Sequence, residues 1–356
     1  MQSTRFGIRT NQARDHGLCW PVPLAWNLAR NPSRKAQHTG PLTRIRPWLQ
    51  TGTIERPPQQ PLILTPQFSI SVPMPRTEKV RDFMTRLPLT LALFLAVSVS
   101  CRFASAAGFP DKNLETAVRG ALHLDDKVEL SDDKLKDLFV LEAPKKQIKD
   151  LSGLEKCPNL ALLNLAKNEI TGIGPLENLI NIQSLDLSGN AITDVGPLAK
   201  LVKLQYLNLA NNQIEKIEPL AGLTAMSALD LGQNKVADIT PVGGMKKLAS
   251  LYLASNQVVN LGPLGETTRI STLELSDNPL TDLAPLGKQT DLNLFIMERT
   301  KVTDLGPLVA WAKADSEGSK RFAPFLRLYL KGNELTEQAK NEQLAALKAI
   351  GVRIDF

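Results

Sequence analysis

Histidine and cysteine are scarce in this chain, with three of each in 356 residues. His123 is the single histidine beyond position 100, and it lies between Leu122 and Leu124. A Ser-His-Asp triad or a histidine-based zinc site therefore has nothing to be assembled from. Of Cys19, Cys101 and Cys157, only Cys157 falls in the part patterned like a folded domain, which excludes a disulfide within that domain. The phosphate-loop pattern G-x-x-x-x-G-K-(S/T), the H-E-x-x-H pattern and the G-x-S-x-G pattern do not occur there. Asp186-Leu-Ser-Gly-Asn190 starts like a calcium loop but lacks the later ligands. No enzyme activity, cofactor or metal is expected. The acidic pairs Asp125-Asp126 and Asp132-Asp133 are read as solvated carboxylates near helix starts.

A basic folded surface is also missing, despite a formal net charge of +6. Residues 1–106 hold 14 of the 42 basic and 4 of the 36 acidic side chains, so that stretch is near +10 and the remainder near −4. The body has no Lys/Arg excess to track a phosphate backbone, and nucleic acid is not expected as a partner.

The N-terminal third divides in two. Leu87 to Ser100 (LPLTLALFLAVSVS) is apolar and uncharged, preceded by Arg76, Lys79, Arg81 and Arg86 and followed by Ala104-Ser105-Ala106. This is the order of a signal peptide, residues 74–106, with cleavage expected before Ala107, and the stretch is short for a membrane span. A competing reading makes Cys101 a lipidated residue, although Ser98 stands where such sites usually carry leucine. The first 73 residues, with ten prolines and nine Lys+Arg against two acids, have no helical or strand period. They are expected to be either a non-native extension, with Met74 or Met84 as the true start instead of Met1, or a disordered basic tail.

What the chain has in abundance is one repeating frame. Asparagine recurs every 22 residues at Asn168, Asn190, Asn212, Asn234, Asn256 and Asn278. Around it runs Leu160-x-x-Leu163-x-Leu165-x-x-Asn168-x-Ile170-x-x-Ile173-x-Pro175-Leu176, repeated as Leu204, Leu207, Leu209, Asn212, Ile214, Ile217, Pro219 and Leu220. Alternating leucines such as Leu185 and Leu187 point inward from a short strand, and the residues between them point outward. Stacked strands make a parallel ladder. The turn after each strand leaves backbone groups without ladder partners, and an asparagine side chain carries the donor and acceptor that satisfy them. Proline at 175, 197, 219, 241, 263, 285 and 307 suits the first position of a helical turn. Cys157 sits one period before Leu179, Leu201 and Leu223, so a buried apolar thiol is expected.

This 22-residue frame, with Ile/Val/Leu-x-Pro-Leu following the asparagine, resembles the internalin-like and phosphatase-regulatory class of leucine-rich-repeat proteins over residues 138–333. The resemblance implies an α/β solenoid: a right-handed superhelix with a parallel concave β-sheet and short 3₁₀ or irregular convex segments, commonly used to bind proteins. Phe109-Pro110-Asp111-x-Asn113-Leu114 resembles the helical N-terminal cap of bacterial exported members, expected at 107–137. Independently, Leu114, Ala117, Val118, Ala121 and Leu122 form a helical stripe, Asp111 is a candidate N-cap, and a second helix is expected from Ser131. A C-terminal cap is expected over 334–356, with a helix from Thr336 to Ile350 ended by Gly351 and a last extended piece from Val352.

The positions between frame leucines are not dictated by the fold. They include all three tyrosines, Tyr206, Tyr252 and Tyr329, and tyrosine on an exposed sheet is a common partner anchor. The frame breaks once: Thr300 takes an asparagine slot, and the next asparagine, Asn333, comes 33 residues on, with an insertion at about 309–323 containing Trp311. Beside it, Leu294 and Ile296 occupy outward positions. Two readings follow: an enlarged local core that covers them, or a partner site made of Leu294, Ile296, Glu298, Arg327, Tyr329 and Lys331. The sequence thus points to a bacterial protein, periplasmic, cell-surface or extracellular, and expected to be monomeric. It would bind a protein partner through its concave face, with membrane attachment only through lipid at Cys101. A surface glycan-binding or adhesion module, with the tyrosines stacking on sugar rings beside Asn164, Asp186 and Asp230, and a phosphatase-regulatory scaffold are the alternatives.

Overall fold

A computed structural model describes residues 108–356. The signal-like stretch, its cleavage site, Cys101 and the 1–73 segment lie outside the described residues. Ten three-residue strands stack in chain order into one parallel sheet: β1 Val140–Glu142, β2 Leu162–Asn164, β3 Ser184–Asp186, β4 Tyr206–Asn208, β5 Ala228–Asp230, β6 Ser250–Tyr252, β7 Thr272–Glu274, β8 Leu294–Ile296, β9 Arg327–Tyr329 and β10 Arg353–Asp355. The 22-residue period sets the register, so Leu163 faces Leu185, Leu185 faces Leu207, and Leu229 faces Leu251. Each of these central residues is at most 1% exposed, because the pleat sends it into the core while its neighbours face outward.

After β2 to β7 the chain returns through a short 3₁₀ turn, as at Gly174–Leu176 and Gly196–Leu198, with proline at its first positions. Proline fixes φ there and forfeits only an N–H that the turn would leave unpaired. The leucine after it is buried, as are Ile173, Leu176 and Leu179 on the return path, so one apolar core runs between sheet and turns. Cys157 lies in this core at 0% exposure, and burial pushes its thiol up to about 12, so it stays protonated and inert.

The asparagines form a ladder that stitches one repeat to the one before. Asn234 Oδ1 accepts from the N–H of Ile214 at 3.0 Å, while its Nδ2 donates to the carbonyls of Leu209 at 2.9 Å and Leu231 at 3.0 Å. Asn190, Asn212, Asn256 and Asn278 repeat the pattern. Immediately before each asparagine the backbone turns left-handed, at Lys167, Asn211, Gln233, Ser255 and Asp277, with Gly189 in the same position. Non-glycine residues pay a steric penalty there, and the side-chain bonds of the following asparagine hold the turn against it.

The ends are covered as the sequence suggests. Helix α1, Lys112–Ala121, starts at Asp111, whose Oδ1 accepts from Asn113 N and Leu114 N. Its Oδ2 accepts from Lys149 N at 2.7 Å and Asp150 N at 3.3 Å, so one carboxylate both caps the helix and ties it to the first repeat. Leu114 and Val118 are buried, whereas Ala121, on the expected stripe, is exposed, because the helix contacts the stack over its earlier turns. Helix α2, Asp132–Leu135, follows Ser131 and delivers Leu135 and Leu138 to the core.

The insertion enlarges an ordinary turn. Where other repeats have a 3₁₀ turn, α3 runs for 12 residues, Gly306–Glu317, with Pro307 still in its first turn. Trp311 stands at the frame position of Leu201 and Leu223 but is only partly buried, packed against the core; its Nε1 donates to the Gln289 carbonyl at 2.8 Å and its ring stacks on Phe322 at 4.2 Å. The loop after α3 closes on Asp315, which accepts from Ser319 Oγ and from the N–H groups of Arg321, Phe322 and Ala323. Thr336 Oγ1 accepts from Ala339 N to open the last helical segment, which passes through a π-turn at Ala339–Gln343 into α4, Leu344–Ile350, and stops at left-handed Gly351. The expected single helix is therefore widened by one turn, at the point where Gln343 Oε1 accepts from the Leu305 N–H. The extended piece after it is a full member of the sheet, β10, paired with β9. No helix among the described residues is long and apolar enough to cross a membrane.

Candidate interaction face

The outward side chains of the sheet fall into columns fixed by register. One column runs Leu162, Ser184, Tyr206, Ala228, Ser250, Thr272, Leu294, Arg327 and Arg353. Its neighbour runs Asn164, Asp186, Asn208, Asp230, Tyr252, Glu274, Ile296, Tyr329 and Asp355. Adjacent members are about 4.8 Å apart, the strand spacing, so residues far apart in sequence become one surface.

Through its first four strands the second column is tied to its own backbone. Asn164, Asp186, Asn208 and Asp230 each accept from the N–H two residues on, at 3.0, 3.0, 3.0 and 2.9 Å. These bonds fix the side chains as a ridge. Burial raises Asp230 to about 7; the Gly232 N–H opposes the shift, and the charges of Glu274 and Asp186 add to it. Burial also raises the Tyr252 hydroxyl, with Asp230 reinforcing the shift, so it stays protonated and able to donate.

The sequence-predicted residues do not form one patch. Leu294 faces Arg327, and Ile296 faces Tyr329, across the β8–β9 pair. Ile296 is 8% and Glu298 9% exposed, whereas Arg327 and Lys331 are exposed and Leu294 and Tyr329 half-buried. Glu298 is engaged by Arg299 at 2.8 Å, and the same guanidinium holds both oxygens of Asp277 at 2.7 Å. The Asp277 carboxylate, ahead of Glu298, holds Arg299 protonated above its ordinary range. Tyr252 lies two strands before Ile296, and Tyr206 two strands earlier in the other column. Sequence reasoning missed Asn293, Phe325 and Arg353, which with Leu294 and Arg327 line a cleft of about 400 Å³ at the β8–β10 end. The missed signal was the alternation Arg353-Ile354-Asp355, which copies Arg327-Leu328-Tyr329 and marks one more rung of the ladder.

A parallel sheet of one short strand per turn, a buried asparagine ladder and a proline-started return together define a leucine-rich-repeat solenoid. The family model described as leucine-rich repeats (2 copies) matches residues 158–200 and 180–222. Internalin C2 from Listeria monocytogenes is similar at 30% identity over 64% of this chain and 94% of its own, with a TM-score of 0.56. The chain belongs to the internalin-like leucine-rich-repeat family. A second Listeria monocytogenes internalin, InlF, is 20% identical over 70% of this chain and 96% of its own, with a TM-score of 0.33. A leucine-rich-repeat protein of Leptospira interrogans is 21% identical over 58% and 57%, with a TM-score of 0.48. No curated protein matches the chain. Family membership makes this a non-enzymatic repeat domain, of a fold that commonly mediates protein–protein interaction.

Proposed function

We propose that this is an exported bacterial protein that binds a protein partner through the concave sheet, centred on the C-terminal strands β8 and β9. The observation that carries the reading is the composition there: half-buried Leu294 and Tyr329 and exposed Arg327 share two adjacent strands at positions the repeat leaves open, with exposed Lys331 two residues beyond β9. An aromatic ring, an aliphatic side chain and cations in one patch are the usual makings of a binding centre. Tyr206 and Tyr252 extend the face toward the N-terminal end. Ile296 and Glu298 lie on the same face but nearly covered, Ile296 opposite Tyr329 in the register and Glu298 in an ion pair with Arg299.

Export rests on the apolar stretch 87–100 with Ala104-Ser105-Ala106 after it and on kinship with an internalin. The mature domain then begins near Ala107, with caps at 107–137 and 334–356 around repeats 138–333. Affinity capture from envelope and culture fractions, with the native protein as bait, tests the binding reading. Replacing Tyr329 and Lys331 by glutamate is expected to abolish capture while the thermal unfolding transition is retained; capture that survives contradicts the proposed centre. Fractionating cells that carry Cys101→Ser decides between soluble export, in which the protein's location is unchanged, and a lipid anchor, in which it leaves the membrane fraction.

A further inference from the structure

At the end of the sheet two arginines stand side by side. Arg327 and Arg353 are directly opposed in the β9–β10 register, both exposed, about 4.8 Å apart at the backbone. Like charges placed opposite one another on a sheet repel. Of the four other described arginines three are ion-paired, Arg119 with Glu115, Arg299 with Asp277 and Glu298, and Arg321 with Asp291, and the exposed Arg269 is not. Among the described residues, neither Arg327 nor Arg353 forms an ion pair, although Asp355 lies on the same face two residues from Arg353. Both arginines line the cleft of about 400 Å³, whose other walls are Leu294, Asn293 and Phe325. Phe325 is 62% exposed, as Phe139 and Phe356 also are to about half, and of these three exposed rings it is the one that lines the cleft.

Around one cleft these features are complementary binding groups. Two planar donor forks present more N–H groups than a single arginine and match a carboxylate bidentately. The exposed ring and Leu294 offer an apolar wall beside that charge. The volume is at the small end for a ligand pocket and accommodates one or two amino-acid residues. We infer that this cleft is a carboxylate-binding subsite that takes an acidic residue flanked by an apolar one from an extended segment of the partner protein. The inference rests on the concave-face reading, since Leu294 and Arg327 belong to both.

The test uses the full chain and an array of short peptides, acetylated and amidated at their ends, that place Asp or Glu beside Leu or Phe. Matched peptides carry Asn or Gln instead, and inorganic phosphate and a uronic-acid oligosaccharide are run in parallel. The acidic–apolar peptides are expected to bind, the amide versions at least about tenfold more weakly, and added salt is expected to reduce binding. The R327Q/R353Q protein is expected to lose about tenfold and Phe325→Ser several-fold, with Arg269→Gln, outside the cleft, unchanged. Competition by free acetate against wild-type protein gives the same reading without any variant. Equal binding of the amide peptides, unchanged binding by R327Q/R353Q, no peptide bound at all, or preference for phosphate or the uronate would each overturn the inference. Peptide binding that R327Q/R353Q leaves intact, alongside protein capture lost on replacing Tyr329 and Lys331, removes this subsite and keeps the concave-face reading. The opposite pair of results does the reverse.

Discussion

Thr300 stands in an asparagine slot and donates its hydroxyl to Oδ1 of Asn333 at 2.6 Å, while its own N–H reaches the same oxygen at 2.8 Å. The next rung is thereby joined across a 33-residue spacing in place of 22, and Asn333 Nδ2 goes on to the carbonyls of Met297 and Leu330. The ladder thus passes the insertion without losing its far end, and the β8–β9 pair on which the proposed site rests keeps its register.

The ladder should therefore be the most mutation-sensitive polar feature of the fold. Asn234→Ala strands the Ile214 N–H and two carbonyls in a site where the side chain is 9% exposed. Each buried orphan costs about 1–3 kcal/mol, and the change is expected to destabilise by about 3 kcal/mol or more. Thr300→Val, losing one hydroxyl, should cost about 1–2 kcal/mol. Chemical denaturation measures both, and equal effects would contradict the ladder's assigned role.

Asp230 gives the face a pH dependence. Its folded pKa, about 7, lies above the ordinary value of 3.8, so the folded state holds a proton that the unfolded chain releases. Stability is full below the unfolded value, falls as pH rises between the two, and is level above the folded value. Asp230→Asn places there the residue already found at Asn164 and Asn208, which make the same bond to the N–H two residues on. The variant is expected to gain on the order of 1–2 kcal/mol at pH 8 relative to wild type and none at pH 4. Parallel melting curves at the two pH values read this out.

Asp315 and Asp111 carry the opposite sign. Burial would raise Asp315, but the N–H groups of Ala323, Arg321 and Phe322 and the Ser319 hydroxyl outweigh it and hold the carboxyl below its ordinary range. Asp111 is lowered in the same way, burial being outweighed chiefly by the Lys149 and Leu114 N–H groups. Their contribution is present above the unfolded carboxylate value and lost as pH falls through the folded one. Asp315→Ala is expected to expose residues 318–323 to proteolysis while the repeats stay protected. Asp111→Ala should cost about 1–2 kcal/mol and speed hydrogen exchange in α1 first. Exchange that rises uniformly across the repeats in either variant would contradict these local roles.

How much of this could be read beforehand follows from what the period controls. Leucine and asparagine recur because the core and the turn demand them at every rung, so the sheet, the ladder and the buried Cys157 slot were legible. Helices α1 and α2 were legible through Asp111 and Ser131, whose local chemistry marks a helix start. The left-handed residue before each asparagine was not: Lys167, Asn211, Gln233 and Asp277 share a backbone shape but no side-chain type. The burial of Ile296 matches one of the two readings of the outward Leu294 and Ile296, an enlarged local core, whereas the depth of Glu298 was not legible. Alternation places both on the outer face, yet Ile296, opposite Tyr329 in the register, and Glu298, paired with Arg299, are nearly covered. Arg353 was hidden because its strand follows a helix and has no asparagine to mark its rung.

The central claim is that the concave sheet at β8–β9 meets the partner. A photo-crosslinking residue placed in turn at Tyr329, at Tyr206 and at Lys288, which lies on a convex turn, tests it most directly in intact cells. Position 329 is expected to give one discrete adduct, position 206 a weaker one and position 288 none. An adduct from position 288 with none from 329 would contradict the account.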